Sequence, residues 1–107
     1  MTKKTVSISL SDNLEARIRD EAVRRKTFLG DVIIAGLSQY TDRAKIAQVL
    51  HDRVINGHED DSPIHRTSVR MEPEPVDNIR KIAKGVGIAH DNLVRIILDD
   101  YLQQHRP

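Results

Sequence analysis

The stretch that decides the fold is Lys4-Thr5-Val6-Ser7-Ile8-Ser9-Leu10, near the start of a chain of 107 residues. Apolar side chains alternate there with hydroxyl-bearing ones, and β-branched residues are frequent. Such alternation is typical of a strand that buries one face and exposes the other to water. The predicted inner face consists of Val6, Ile8 and Leu10, and the outer face of Thr5, Ser7 and Ser9.

Two predicted helices follow this strand. Ser11 and Asp12 are both candidate N-caps of the first helix, and Asp12-x-x-Glu15 resembles a capping box. The apolar stripe of this helix consists of Leu14, Ile18 and Ala22, with Val23 as a further candidate. A break near residue 26 lets Thr27 cap a second helix over about 29–39. Its apolar side is too wide for a one-sided surface helix and predicts a central, largely buried one.

The same order of elements recurs further along the chain. A shift of 61 residues aligns the two halves without a gap and places Ser7 on Ser68 and Tyr40 on Tyr101. A second strand is therefore predicted over 65–71. Its inner side chains are Thr67, Val69 and Met71, and its outer side chains are Arg66, Ser68 and Arg70.

The helices of the second half are marked by turn formers and proline. Pro73 and Pro75 suit a helix start, because the missing N–H costs little there. Gly85-Val86-Gly87 breaks this helix, and another begins near Ala89-His90-Asp91.

A connecting helix and an acidic linker separate the two halves, within residues 43–63. Arg43 to Ile55 have helical spacing at Ala47, Leu50 and Val54, whereas residues 57–63 combine turn formers with charges. The length predicts a single domain, 1–107, with an internal repeat over 4–41 and 65–102. The net charge of +1 does not by itself indicate a nucleic-acid binder.

Each half has only one strand, which lacks a ladder partner, so the two strands are expected to pair antiparallel. The strand-helix-helix order resembles the ribbon-helix-helix family of DNA-binding proteins, the class of the Arc and MetJ repressors. Two units in one chain resemble its tandem members, which include accessory proteins of conjugative DNA transfer. The resemblance implies a mainly helical fold with a two-stranded antiparallel ribbon, in which two units form an intramolecular pseudo-dimer.

The resemblance also implies a double-stranded DNA site. In the family, the paired strands enter the major groove, where their outward side chains read base edges. By position, the base readers would be Thr5, Ser7, Ser9, Arg66, Ser68 and Arg70. Phosphate contacts would come from the N-terminal lysines and the starts of the second helices: Lys3, Lys4, Thr27, Phe28, Ala89 and His90. The chain departs from the family pattern, since Lys26 stands where a glycine is common and Asp91 would repel a phosphate.

Other kinds of site find little support in the sequence. His51 and His58 are separated by a helix-ending Gly57, and no third ligand is usefully spaced, so we expect no metal and no cofactor. Asp60-Asp61 lies in the linker, and Asp99-Asp100 lies at a helix end where adjacent side chains diverge. We therefore do not expect an enzyme. The absence of cysteine, of a membrane-length apolar run and of a signal-peptide pattern favours a cytoplasmic location and no membrane contact.

The sequence thus predicts sequence-specific binding of duplex DNA, as a transcriptional repressor or as a plasmid-transfer accessory. An antitoxin-type protein-interaction module of the same fold is the alternative, although few residues follow the last helix to serve as a toxin-binding tail. A structural helical protein without a nucleic-acid role is a third hypothesis. We expect a monomer that leaves further assembly on DNA open. Because arginine occurs on one strand only, its site should be non-palindromic, with guanine contacts in one half.

Overall fold

The computed structural model describes residues 3–55 and 62–104. Within these ranges the chain is mainly helical, with a two-stranded antiparallel sheet. None of the described helices is long and apolar enough to cross a membrane. The predicted linker residues 57–61 lie outside the described ranges. The elements are β1 Lys4–Ser11, α1 Asp12–Arg25, α2 Leu29–Gln39, α3 Arg43–Ile55, β2 Ile64–Met71, α4 Glu74–Val86 and α5 His90–Gln104.

β1 and β2 form an antiparallel ribbon within the chain, as the sequence predicts. Ser7 lies directly opposite Ser68 at its centre. On the inner face of this ribbon, Val6, Ile8 and Val69 are buried. α5 and α1 pack against β1, and α2 packs against β2. Burying one such apolar side chain contributes about 1.5–3 kcal/mol, so the inner face fixes the ribbon to the helices.

Ser11 is the N-cap of α1, and its side-chain oxygen accepts a hydrogen bond from the backbone N–H of Leu14. The predicted capping box is therefore wrong, because Asp12 is already helical and Glu15 contacts β2 instead. Val23 was also misplaced as a candidate for the apolar stripe, since its side chain is 76% exposed.

α1 and α4 both end at a residue with a left-handed backbone. Lys26 closes α1 at φ 56°, and Gly87 closes α4 at φ 79°. In both turns the next backbone N–H bonds to an alanine carbonyl five residues earlier. Glycine adopts this conformation without steric cost, whereas a side chain opposes it. Both predicted helix breaks are confirmed, although Gly85 and Val86 belong to α4 itself.

α2 packs against α5 at the centre of the fold, which confirms its predicted central position. Val32, Ile33 and Leu37 are buried. Gly36 permits a close approach, because a Cβ there would lie 2.9 Å from Cδ2 of Leu98.

α3 has the predicted bounds, but its buried side differs from the prediction. Ile46 and Val49 are buried and Leu50 is partly buried, whereas Ala47 is exposed. The predicted stripe was shifted because the helix docks on α5 through a neighbouring row of residues. The predicted contribution of Val54 lies outside the described side chains.

Asp99 joins three helices. Its carboxylate, only 8% exposed, contacts Arg17 of α1 and accepts a 2.6 Å hydrogen bond from Nη1 of Arg53 on α3. The neighbouring Asp100 points elsewhere and accepts a hydrogen bond from the hydroxyl of Tyr40. The two carboxylates thus diverge, as the sequence predicts, and each holds helices together.

Candidate nucleic-acid interface

The outer face of the ribbon carries hydroxyl groups on β1 and guanidinium groups on β2. Five of the six predicted base readers are exposed there: Thr5, Ser7, Arg66, Ser68 and Arg70. Strand alternation places four residues of each strand on this face, and none of the eight is acidic. The outer face is therefore positively charged along β2 and neutral along β1.

Ser9, the sixth predicted reader, is only 7% exposed. Arg66 lies directly opposite Ser9 in the ribbon, and its Nη1 is 3.4 Å from Oγ of Ser7. The strand pairing thus places the long side chain of Arg66 beside Ser9. The low exposure of Ser9 corrects the prediction that its hydroxyl is presented on the outer face, where strand alternation alone would leave it exposed.

The predicted phosphate site at the start of α2 contains a carboxylate of the chain itself. Asp31 accepts hydrogen bonds from the Thr27 hydroxyl at 2.6 Å and from the Phe28 backbone N–H at 3.3 Å. These bonds, the first being the stronger cause, lower the pKa of Asp31, and the charge of Lys3 adds to the effect. The prediction that Thr27 is the N-cap is therefore wrong, because its hydroxyl donates a hydrogen bond to Asp31. The side chain of Phe28, the actual N-cap, is 81% exposed.

The start of α5 also contains an acid. Ala89 and His90 are exposed there, and the carbonyl of Ala89 accepts the first helical hydrogen bond, from Leu93. Nε2 of His90 is 3.3 Å from a carboxylate oxygen of Asp91. As at α2, an acid in the first turn competes with any phosphate. The ribbon and the exposed Lys3 and Lys4 beside it therefore form the stronger part of the predicted interface.

One cluster at the ribbon edge was missed by the sequence analysis. Nδ1 of His65 on β2 lies 2.9 Å from a carboxylate oxygen of Asp12, and its Nε2 contacts the carboxylate of Glu15. Arg19 donates to the same Glu15 at 2.6 Å. Because carboxylates only accept, both contacts are hydrogen bonds only when both ring nitrogens carry protons.

The electrostatics of this cluster agree with that geometry. Glu15 first, and then Asp12, raise the pKa of His65. His65 and Arg19 lower the pKa of Glu15 against the opposing effect of burial. The strand register could have predicted this contact of His65 with α1. With Ser7 opposite Ser68, His65 lies opposite Leu10, two residues before α1 begins.

Comparison with known proteins found no matching family model, curated protein or solved structure. Residues 3–55 and 62–104 contain no group of three His, Asp or Glu side chains placed to hold a metal ion. A shallow cleft of about 200 Å³ lies between α3 and α5, and the structural carboxylates Asp99 and Asp100 line it. The ribbon face is therefore the candidate functional site within the described residues.

Proposed function

We propose that this protein binds double-stranded DNA with sequence preference by inserting its ribbon into the major groove. The observation that carries the proposal is the outer ribbon face, which exposes two arginines and three hydroxyl side chains without any acid. The major groove, about 12 Å wide, admits a two-stranded ribbon and presents a distinct donor and acceptor pattern for each base pair. The inner face is packed on the helices, so the outer face is the one available to a groove.

We also infer that the two strand-helix-helix segments are ribbon-helix-helix units paired as a pseudo-dimer. The starts of β1, α1 and α2 recur in the second half at offsets of 60, 62 and 61 residues. Ser7 and Ser68, aligned by the repeat, are also direct partners in the ribbon. A two-fold axis through the centre of an antiparallel pair requires the residue at the axis to face its own equivalent in this way. Lys26 and Gly87, which share the left-handed conformation, occupy equivalent positions too.

The proposal predicts a strong salt dependence of binding. Lys3 and Lys4 would lie near phosphates at the groove edges, and the two ribbon arginines would bring further positive charge into the groove between the phosphates. Neutralising about four to six phosphates gives a slope near −4 to −5 in log affinity against log salt concentration.

The test begins with selection of bound duplexes from a random pool at low salt, followed by fluorescence anisotropy with the selected sequence. We expect the double variant Arg66→Ala/Arg70→Ala to bind this sequence at least tenfold more weakly, because each arginine-guanine pair contributes about 1–3 kcal/mol. Arg80→Ala is the control, since it removes one exposed arginine from α4 instead of two from the ribbon. Failure to bind any duplex at low salt, or equal binding by the double variant, would refute the proposal.

The regulatory role would follow from where the selected sequence occurs. A site overlapping a promoter would indicate a repressor, and a site within a plasmid transfer origin would indicate a transfer accessory.

A further inference from the structure

We propose that Arg66 and Arg70 read two guanines on the same strand of a non-palindromic DNA site, three to four base pairs apart. This inference rests on the proposed function and specifies its ligand. It follows from the distribution of arginine over the ribbon, which differs between positions that the repeat makes equivalent.

The two strands present different chemistry at matched positions. Thr5 is equivalent to Arg66, and Ser9 is equivalent to Arg70, by the 61-residue offset. A homodimer would present the same side chain twice and would favour a palindrome, because its two-fold axis relates the two DNA strands. Here each equivalent pair combines a hydroxyl with a guanidinium. The reading face is therefore asymmetric even though the backbone repeats.

The register places both guanidinium groups on one side of the ribbon. Arg70 lies opposite Thr5 at one end of the outer face, and Arg66 lies opposite Ser9 at the other end. A strand rises about 3.3 Å per residue, so the four-residue separation along β2 is about 13 Å. A DNA strand rises about 3.4 Å per base pair, and the groove winds around the axis, which makes this distance three to four base pairs.

A ribbon strand that follows the groove stays nearer to one DNA strand throughout. Both arginines belong to β2 and would therefore meet bases of the same DNA strand. Arginine bonds bidentately to O6 and N7 of guanine, whereas Ser and Thr hydroxyl groups accept several bases. The sequence alone predicts guanine contacts in one half of the site, whereas the register leads us to propose one guanine near each end.

The two arginines also start from different positions. Nη1 of Arg66 lies 3.4 Å from Oγ of Ser7, so Arg66 would exchange this contact for a base on binding DNA. Arg70 has no such contact to Ser7, because it lies opposite Thr5 at the other end of the outer face.

The test uses the full chain and competition anisotropy with duplexes derived from the selected sequence. We expect the selected site to hold two guanines on one strand at the stated spacing. Moving one guanine to the opposite strand, or replacing it by 7-deazaguanine, should weaken binding about 5- to 150-fold, which corresponds to the loss of one bidentate contact. Arg66→Ala and Arg70→Ala should each remove the preference at one guanine and leave the other.

The sharpest variant exchanges two partners across the ribbon, Thr5→Arg/Arg70→Thr. The exchange keeps the charge, but it places arginine at the equivalent positions 5 and 66. Its preference should move to a palindromic arrangement with one guanine on each DNA strand. Equal melting temperatures for the variants would show that they fold normally, as expected for exposed side chains.

The outcomes separate the two proposals. If wild-type protein binds DNA but selects a palindrome, or if the exchange variant keeps the wild-type preference, the asymmetric reading is refuted while duplex binding stands. If no duplex in the pool is bound at low salt, the proposed function itself fails.

Discussion

A methyl group at Gly36 is predicted to destabilise the protein by interfering with the contact between α2 and α5. The added Cβ would lie 2.9 Å from Cδ2 of Leu98 and 3.1 Å from Cδ2 of Tyr101, whereas carbon atoms prefer about 3.5–4.0 Å. Leu98 presents the end of a flexible side chain. Tyr101 is held more firmly, because its hydroxyl accepts a 2.7 Å hydrogen bond from Arg25, whose guanidinium carbon lies 5.2 Å from the ring centroid.

The expected magnitude combines two opposing effects. Overpacking a core costs about 1–3 kcal/mol, and replacing glycine by alanine inside a helix contributes about 1 kcal/mol of stability. We therefore expect Gly36→Ala to lower the free energy of unfolding by about 1 kcal/mol, or to lower Tm by about 4–8 °C for a domain of this size. Gly85→Ala is the control. Its Cβ would lie in an exposed part of α4, 3.3 Å from the movable guanidinium of Arg43, so it should stabilise by up to about 1 kcal/mol.

Urea titration followed by circular dichroism at 222 nm measures both variants against the wild type. The difference between them is the informative quantity, since helix propensity is common to both. If Gly36→Ala is as stabilising as Gly85→Ala, then α2 and α5 are not as close as described, and the account of the core is wrong.

Two further predictions concern the helix ends and the ribbon edge. Lys26→Gly should raise the free energy of unfolding by about 0.5–1 kcal/mol, because relief of the left-handed strain exceeds the entropy that glycine adds to the unfolded chain. Gly87→Ala should lower the free energy of unfolding. Urea midpoints at the wild-type value for both variants would contradict these two predictions. His65 should titrate by NMR with a midpoint above 6.5 that falls in Glu15→Gln, and an unchanged midpoint would exclude the contact. The contribution of His65 to stability is complete below pH 6.5 and is lost as the pH rises through its raised pKa. The contribution of Glu15 is lost as the pH falls through its own pKa, which is lowered from 4.5.

The elements of this fold could be predicted because their signals are local. The alternation in residues 4–10 and the helical spacing in 29–39 and 43–55 depend only on which neighbouring side chains are apolar. The capping residue of a helix was harder to predict where two neighbouring residues could both serve as the N-cap. Ser11 and Asp12 were both suitable caps, and the side-chain contacts, not the sequence spacing, decide that Ser11 takes the position.

The site residues also divide into those that local sequence signals predict and those that depend on side-chain contacts. Five outer-face residues follow from strand alternation alone, whereas the burial of Ser9 does not, and its ribbon partner Arg66 lies 57 positions away in the sequence. The contacts of His65 likewise depend on the pairing register of two distant strands. At α2, Asp31 takes the hydrogen bonds that Thr27 and Phe28 were expected to offer to a phosphate. Each of these outcomes depends on which side chains contact each other in the folded chain, and the apolar pattern of a single element does not contain that information.

The overall charge shows why composition alone gave no indication of the proposed interface. The chain has 17 basic and 16 acidic residues, which suggests little attraction for a polyanion. The structure uses several acids internally: Asp99 pairs with Arg17 and Arg53, and Glu21 is buried beneath the guanidinium groups of its own helix.

Ion pairs of this kind remove positive and negative charge together from the helical side, and they leave the ribbon face with arginine and no acid. The field that a DNA backbone would meet at this face is set by this local distribution, because charges beyond about 10 Å are largely screened at 0.1 M salt. A near-neutral protein can therefore have a strongly salt-dependent affinity for DNA. The Arg66→Ala/Arg70→Ala variant, which removes two positive charges from the ribbon, should reduce that salt slope, whereas Arg80→Ala, which removes one positive charge from α4, should leave it unchanged.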